Sequence, residues 1–258
     1  MTTGRTLKRW ARIYVDGYDM SGFTREIGPL AWTYDEIEQV ALMDSVRGAL
    51  PDHPEISIGT LNGIFDNTAT SGIHAVLGSA GVSRDVLVAL GIQAAPAKGD
   101  PVFIGAYNQL AYQVAPSGGN VALTVPFGKI SPAEVLLYEQ PWGVLLHENS
   151  AEADVNAATG IDDAGASSSA GGYLMYHILD VEGTGDVTIK IEEADTNTDI
   201  SFGDLTDATS GEIAHTAIPC SGIVQLGKTA DIKQYLRWQI VLDGITSCTF
   251  VLGFVRGR

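Results

Sequence analysis

In "DVTIKIEEA", Val187, Ile189 and Ile191 alternate with Thr188, Lys190 and Glu192, the two-residue period of a half-buried antiparallel strand. The same signature recurs along most of the chain. "RWARIYV" (Arg9–Val15) mixes β-formers with charge and ends at the turn dipeptide Asp16-Gly17. "LAWTYDEIEQVAL" (Leu30–Leu42) puts Trp32 and Tyr34 on one face and Thr33 and Asp35 on the other. "EISIGTLNGIF" (Glu55–Phe65) alternates Ile56 and Ile58 and then, after a slip at its glycines, Leu61 and Phe65. "DVLVALGI", "PVFIGAYNQLAYQV" and "NVALTVPF" follow, and the Pro-Ser-Gly-Gly between the last two predicts a hairpin. Later come "YLMYHILDV", "IVQLG", "YLRWQIVLD" and "CTFVLGFV"; "FVLGFV" is apolar on both faces and predicts a central strand.

Two short helices interrupt this pattern. "TSGIHAVLG" (Thr70–Gly78) places Ile73, His74, Val76 and Leu77 on one stripe. "SPAEVLLY" (Ser131–Tyr138) starts with Ser131 as N-cap, Pro132 at the first position and Glu134 closing a capping box. Between Asn149 and Gly172 the run "AATGIDDAGASSSAGG" has almost nothing to bury. It divides the chain into a β domain over 1–150, a Gly/Ser/Ala-rich linker over 151–172 and a β-sandwich domain over 173–258. The predicted fold is mainly β.

Composition narrows the function classes. The 258 residues carry a net charge of −16, with 9 Lys+Arg against 17 Asp+Glu in 1–155 and 6 against 14 in 156–258. Neither half offers the phosphate neutralisation that drives nucleic-acid binding. The basic cluster Arg5, Lys8, Arg9 and Arg12 reads as a charged arm or edge, or as a contact to an acidic neighbouring subunit. Cys220 and Cys248 lack metal-ligand spacing and sit among apolar residues, as small core residues do. No signal-peptide pattern and no spanning run of apolar residues is visible, so a soluble protein made in a cytoplasm is expected.

Candidate chemistry is sparse. No P-loop, dinucleotide fingerprint or G-x-S-x-G elbow is present. "DTNTD" (Asp195–Asp199) imitates the start of a calcium loop, but Ile200 takes the glycine position and Thr206 that of the bidentate glutamate. "IDD" (Ile161–Asp163) reads as solvated loop charge. Glu36 and Glu38 in "YDEIEQ" share one face of a strand about 7 Å apart, awkwardly placed to grip opposite sides of a sugar ring. The histidines 53, 74, 147, 177 and 215 form no short-spaced pair. Trp10, Trp32, Trp142 and Trp238 offer a sugar-stacking platform if exposed; the strand patterns around Trp32 and Trp238 favour a core role. No catalytic, cofactor-binding or metal-binding residue is assigned, and the chain reads as a non-enzyme. In "IYVDGYDMSGFTREIG", Asp16, Asp19 and Ser21 are read as shaping the turn between strands.

The order of motifs "DMSGFT" (Asp19–Thr24), "LAWTYDE", "VALMDSVRGALP" (Val40–Pro51) and "GTLNGIFD" (Gly59–Asp66) resembles the N-terminal half of tailed-phage tail tube proteins, over residues 13 to 150. The usual T-x-F-G-D before the arginine is replaced here by "ALMDSVR". "RWQI" and "FVLGFVRG" are similar to the final β domain of some larger tail proteins. The resemblance implies a β-sandwich or barrel with one flanking helix, self-assembling into stacked homo-oligomeric rings in the virion tail. DNA would pass through the channel without specific binding, and other virion proteins would be partners. Six chains, or three in pseudo-six-fold symmetry, would make a ring. The segment Glu36–Asp52 is the expected interlocking loop, or else an ordinary hairpin. The competing readings are a trimeric capsid decoration or head–tail accessory protein and a carbohydrate-binding receptor-recognition module.

Overall fold

The computed structural model describes residues 8–39, 48–117, 119–130, 140–153 and 155–257. The fold is mainly β, as the two-residue periods predict. In chain order the first strands are β1 (Ala11–Val15), β2 (Tyr18–Asp19), β3 (Thr24–Ile27), β4 (Leu30–Gln39), β5 (Gly48–Ile58) and β6 (Thr60–Ile64). Helix α1 (Ile73–Leu77) precedes β7 (Val82–Leu90), β8 (Pro101–Gln109), β9 (Gln113–Ser117), β10 (Asn120–Ile130) and β11 (Trp142–Glu152). The remainder holds β12 (Ile161–Asp162), β13 (Gly172–Ala194), β14 (Gly203–Thr209), β15 (Ile213–Ala214), β16 (Cys220–Gln225) and β17 (Tyr235–Arg256).

One antiparallel sheet runs β1–β7–β8–β11–β17–β13–β16 and curls until its ends meet. Ser221 of β16 donates to Asp85 Oδ2 of β7 at 2.7 Å. Inside this curl lies a core of Tyr14, Leu87, Ile104, Leu145, Tyr173, Val251 and their neighbours, drawn from every one of those strands but β16, whose Ile223 packs against it. Alternate residues on the outer faces build two more cores. Ile13, Val15, Val86, Val88 and Phe103 face a second sheet, β3–β6–β10–β9, together with Ile73 and Leu77 of α1. Leu174, Ile178, Phe250 and Leu252 face Val187, Ile189, Ile191 and Trp238. Central strands buried on both faces explain why "FVLGFV" is apolar throughout: β17 pairs with β11 on one side and β13 on the other.

β13 and β17 are each longer than the separate strands expected in their stretches, because pairing continues through a bend. The ladder shifts register at Glu182/Gly183 and Gly183/Asp186. Gly183 has φ +115° and Gly244 φ +71°, and a Cβ on Gly185 would stand 1.8 Å from Asp243 O. Glycine alone fits that close crossing. The bend folds both strands over, so their two halves enclose the core containing Val187 and Trp238.

Local expectations meet the structure as follows. The hairpin around Ser117 and Asn120 forms, with those residues paired. In α1, Ile73, Val76 and Leu77 are buried, but His74 faces outward and contacts the Tyr112 hydroxyl at 2.8 Å, because a five-residue helix buries only one narrow stripe. Glu192 breaks the expected alternation: it is buried against Arg237, its cross-strand neighbour, at 2.6 Å. Cys248 is buried and Cys220 half-buried, both as free thiols, and burial raises the Cys220 thiol to about 11. The Ser131–Tyr138 helix lies outside the described residues.

The Ser/Gly/Ala-rich stretch is held along β17. Ile161 pairs with Leu236, Asn156 bridges Gln239, and Ser168 bridges Ile232. Arg256, almost fully buried, grips Asp163 by Nη2 at 2.6 Å and Nε at 3.2 Å, and donates to Ile232 O and Lys233 O at 2.9 Å each.

Candidate assembly surface

β3–β4 and β5–β6 form one long two-stranded ribbon. Its ladder passes from Ile27↔Leu61 to Leu30↔Ile58 through Gly28 N→Thr60 O (2.7 Å) and Gly59 N→Pro29 O (2.9 Å). The base belongs to the second sheet, where Ile56, Ile58 and Leu61 are buried. Farther out, every residue from Thr33 to Glu38 and from Ala49 to His53 is exposed. Successive strand residues point to opposite faces, so the distal ribbon stands clear of the body on both sides. Its apolar side chains stay uncovered: Tyr34, Ile37 and Leu50 are 44%, 50% and 51% exposed.

The two ribbon edges are chemically unequal. β5 carries Pro51 and Pro54, each lacking a backbone donor, whereas β4 carries none between Leu30 and Gln39. Among the described residues β4 pairs with β5 alone, and its outer edge from Ala31 to Ile37 carries no ladder to another described strand. Such an edge is a template for another chain. Glu36–Asp52, the expected interlocking loop or hairpin, spans the tips of both ribbon arms, 36–39 and 48–52, with 40–47 outside the described residues.

Elsewhere, polar residues that resemble chemistry are held by structure. Asp16, at φ +50°, closes the β1 turn: Oδ1 accepts Asp85 N at 2.9 Å and Oδ2 takes Arg84 at 2.7 Å. Asp19 accepts Ser21 N at 2.8 Å and Asn149 Nδ2 at 3.1 Å, and Ser21 Oγ accepts Ile13 N at 3.0 Å. These are the side-chain-to-backbone bonds of a turn. Asp16→Asn keeps the Asp85 acceptor and loses only a partly exposed ion pair. We expect a cost of about 0.5–1.5 kcal/mol by urea denaturation with assembly unchanged; loss of assembly would show that the carboxylate has a further role.

In the calcium-like loop, Asp195 accepts Ser167 Oγ, Asn197 bonds both Gly160 N and O, and Asp199 takes Arg237 Nη1. Those oxygens are turned to different partners rather than to one centre. Of "IDD", Asp162 is exposed, but Asp163 is buried on Arg256 and is not solvated loop charge; a distant arginine inserts beside it. Glu36 and Glu38 both lie on the exposed ribbon.

Ser150, His147 and Glu152 cluster within 3.4 Å, a grouping the sequence reading missed. Serine and glutamate meet the same ring nitrogen, Nε2, while Nδ1 faces Phe250 O at 3.0 Å. Nucleophile activation needs serine and carboxylate on opposite nitrogens. His147 is instead a packed core residue, stacked on Phe250 at 3.8 Å and edge-on to Trp238. Trp238 is buried as expected; Trp10, Trp32 and Trp142 are half-buried on different elements. Among the described residues no group of three His, Cys, Asp or Glu side chains converges as metal ligands would.

No family model matches the chain, and no curated protein matches it. Among solved structures, the chain is similar to the SPP1 Dit protein, described as a paradigm of the hub adsorption apparatus in phages infecting Gram-positive bacteria. The match covers 95% of this chain and 98% of that one, at 9% identity and a TM-score of 0.32, too low to carry an assignment.

Proposed function

We propose that this chain is a structural virion protein, not an enzyme, and that it is the subunit of a phage tail tube. The carrying observation is the ribbon: both faces of its distal half are exposed, and among the described residues β4 pairs with β5 alone. Tyr34, Ile37 and Leu50 lie uncovered there. A protein that stayed alone would be expected to blunt or cover such an edge. The order of motifs from Asp19 to Asp66 supports the tail-tube reading. In it, residues 1–150 form the tube unit, 173–258 a second β unit, and 151–172 the connection. Six copies close a ring, the second unit decorates its outside, and rings stack within the tail of a particle assembled in the host cytoplasm.

Rings must join by heterologous contacts, in which one surface of a copy meets a different surface of the next. The net charge of −16 suits a conduit, since an acidic lining keeps DNA from adhering. The test is negative-stain microscopy of the purified chain at high concentration. Stacked rings or tubes are expected; discrete trimers would replace this reading with a decoration protein.

A further inference from the structure

At the ribbon's base the structure carries a groove that fits the ribbon's own distal half. The groove, a cavity of about 730 Å³, lies between the start of β1 and β3. Four cations line it, Lys8, Arg9, Arg12 and Arg25, against the single acid Glu26, in a chain that is otherwise strongly acidic. None of the four forms an ion pair with a carboxylate among the described residues; Arg12 spends Nη1 on Arg9 O and Ala11 O, at 3.1 and 2.9 Å. Ala11, Ile13 and Ile27 add apolar wall. One backbone edge is open there too: among the described residues β3 pairs only with β6. β1 is the closed wall, paired with β7 along its length and covered on its other side by β2 at Tyr14 and Val15 and by Met20 N and Ser21 Oγ at Ile13. A slot bounded by the open β3 edge and lined by cations is complementary to an extended, acidic, partly apolar segment.

The chain contains such a segment. Asp35 and Glu36 lie between the exposed Tyr34 and Ile37 on β4, which pairs with β5 alone among the described residues. It cannot reach the groove of its own copy, because the β4–β5 ladder from Leu30↔Ile58 to Gln39↔Gly48 holds it extended. Arg25 and Glu36 are separated by eleven residues, up to about 36 Å along the ribbon.

We propose that the Asp35–Ile37 edge of one copy docks in the Lys8/Arg9/Arg12/Arg25 groove of the next copy. The contact is heterologous: every copy offers the acidic edge at one place and the basic groove at another, displaced by up to about 36 Å. This names the contact that the tail-tube reading requires, and rests on that reading for the identity of the partner. Opposite charges brought together at a partly desolvated strand pairing set register as well as affinity.

The test uses the full chain in two charge-reversed forms, R12E/R25E and D35K/E36K, followed by sedimentation velocity and microscopy at low and high salt. Each form alone should lose at least about tenfold in association constant, since like charges then face each other. Mixed one to one, the two forms should assemble, because the acidic groove of one accepts the basic edge of the other. The quadruple variant should also assemble. Circular dichroism identical to wild type shows that each variant is folded.

Association of R12E/R25E equal to wild type overturns the proposal while leaving the tail-tube reading in place. So does failure of both the mixture and the quadruple variant to assemble when each is folded. Wild-type protein that stays monomeric at every concentration overturns both. Saturable retention of polyphosphate by the groove, with R12E/R25E still assembling, would assign the groove to a different anion.

Discussion

Asp163→Ala should lower the melting temperature by roughly 10 °C, a cost of about 3–5 kcal/mol, because it strands Arg256 in the interior. The Arg256 and Asp163 side chains are 8% and 6% exposed. The guanidinium's other donors go to Ser168 Oγ at 3.1 Å and to the Ile232 and Lys233 carbonyls. It cannot turn toward water without abandoning all of them, and an arginine does not shed its proton to escape burial. The carboxylate also ties residues 163–168 to the end of β17, so truncation loosens a loop whose composition alone gives it little reason to stay. The double variant D163L/R256M should recover part of the loss, since a buried pair replaced by apolar groups avoids both desolvation costs. Thermal unfolding of the three proteins checks this. A single-variant cost below about 1 kcal/mol would mean that water reaches Arg256.

What the sequence made legible was whatever depends on neighbours along the chain. Val187, Ile189 and Ile191 follow the two-residue period and are all fully buried. Asp16, Asp19 and Ser21 act within a few residues of their own positions, and the turn they shape was readable from their identities. What stayed hidden was decided by partners far away. Glu192 looked solvent-facing because its partner Arg237 arrives from β17, forty-five residues on. Asp163 looked like loop charge for the same reason, with Arg256 ninety-three residues away. "YLMYHILDV" and "DVTIKIEEA" read as separate strands, yet β13 continues through the glycines at 183 and 185 because Gly244 lets β17 bend alongside. The ribbon is an intermediate case. The alternation of its residues 32–35 and its prolines, Pro51 and Pro54, stand in the sequence, but that β4 pairs with β5 alone among the described residues follows only from the topology of everything else.

His177 should make the protein sensitive to mild acid. It is fully buried, and burial lowers its pKa from 6.5 to about 3. Nδ1 accepts the Gly17 amide at 3.1 Å, so the neutral ring carries its proton on Nε2, which has no partner. A second proton would have to enter at Nδ1 and would set two donors against each other. The bond also closes the curled sheet: Gly17 sits so near β16 that a Cβ would lie 2.4 Å from Cys220 N. The sign follows from the neutral form being the one that folds. The unfolded chain binds a proton as pH falls through 6.5, and the folded chain does not until about 3. Stability from this residue is therefore complete above pH 6.5 and drains away below it, by up to about 1.4 kcal/mol per pH unit. Paired carboxylates add their own acid sensitivity, so the comparison must be made against a variant lacking only the imidazole. His177→Asn keeps an acceptor near the Nδ1 position and should cost about 1–3 kcal/mol at neutral pH. Between neutral pH and about pH 5 the wild type should then lose about 2 kcal/mol more than the variant, in urea titrations at each pH. Equal losses in the two proteins would mean that the folded state accommodates the imidazolium, and that the Gly17 contact opens without unfolding the chain.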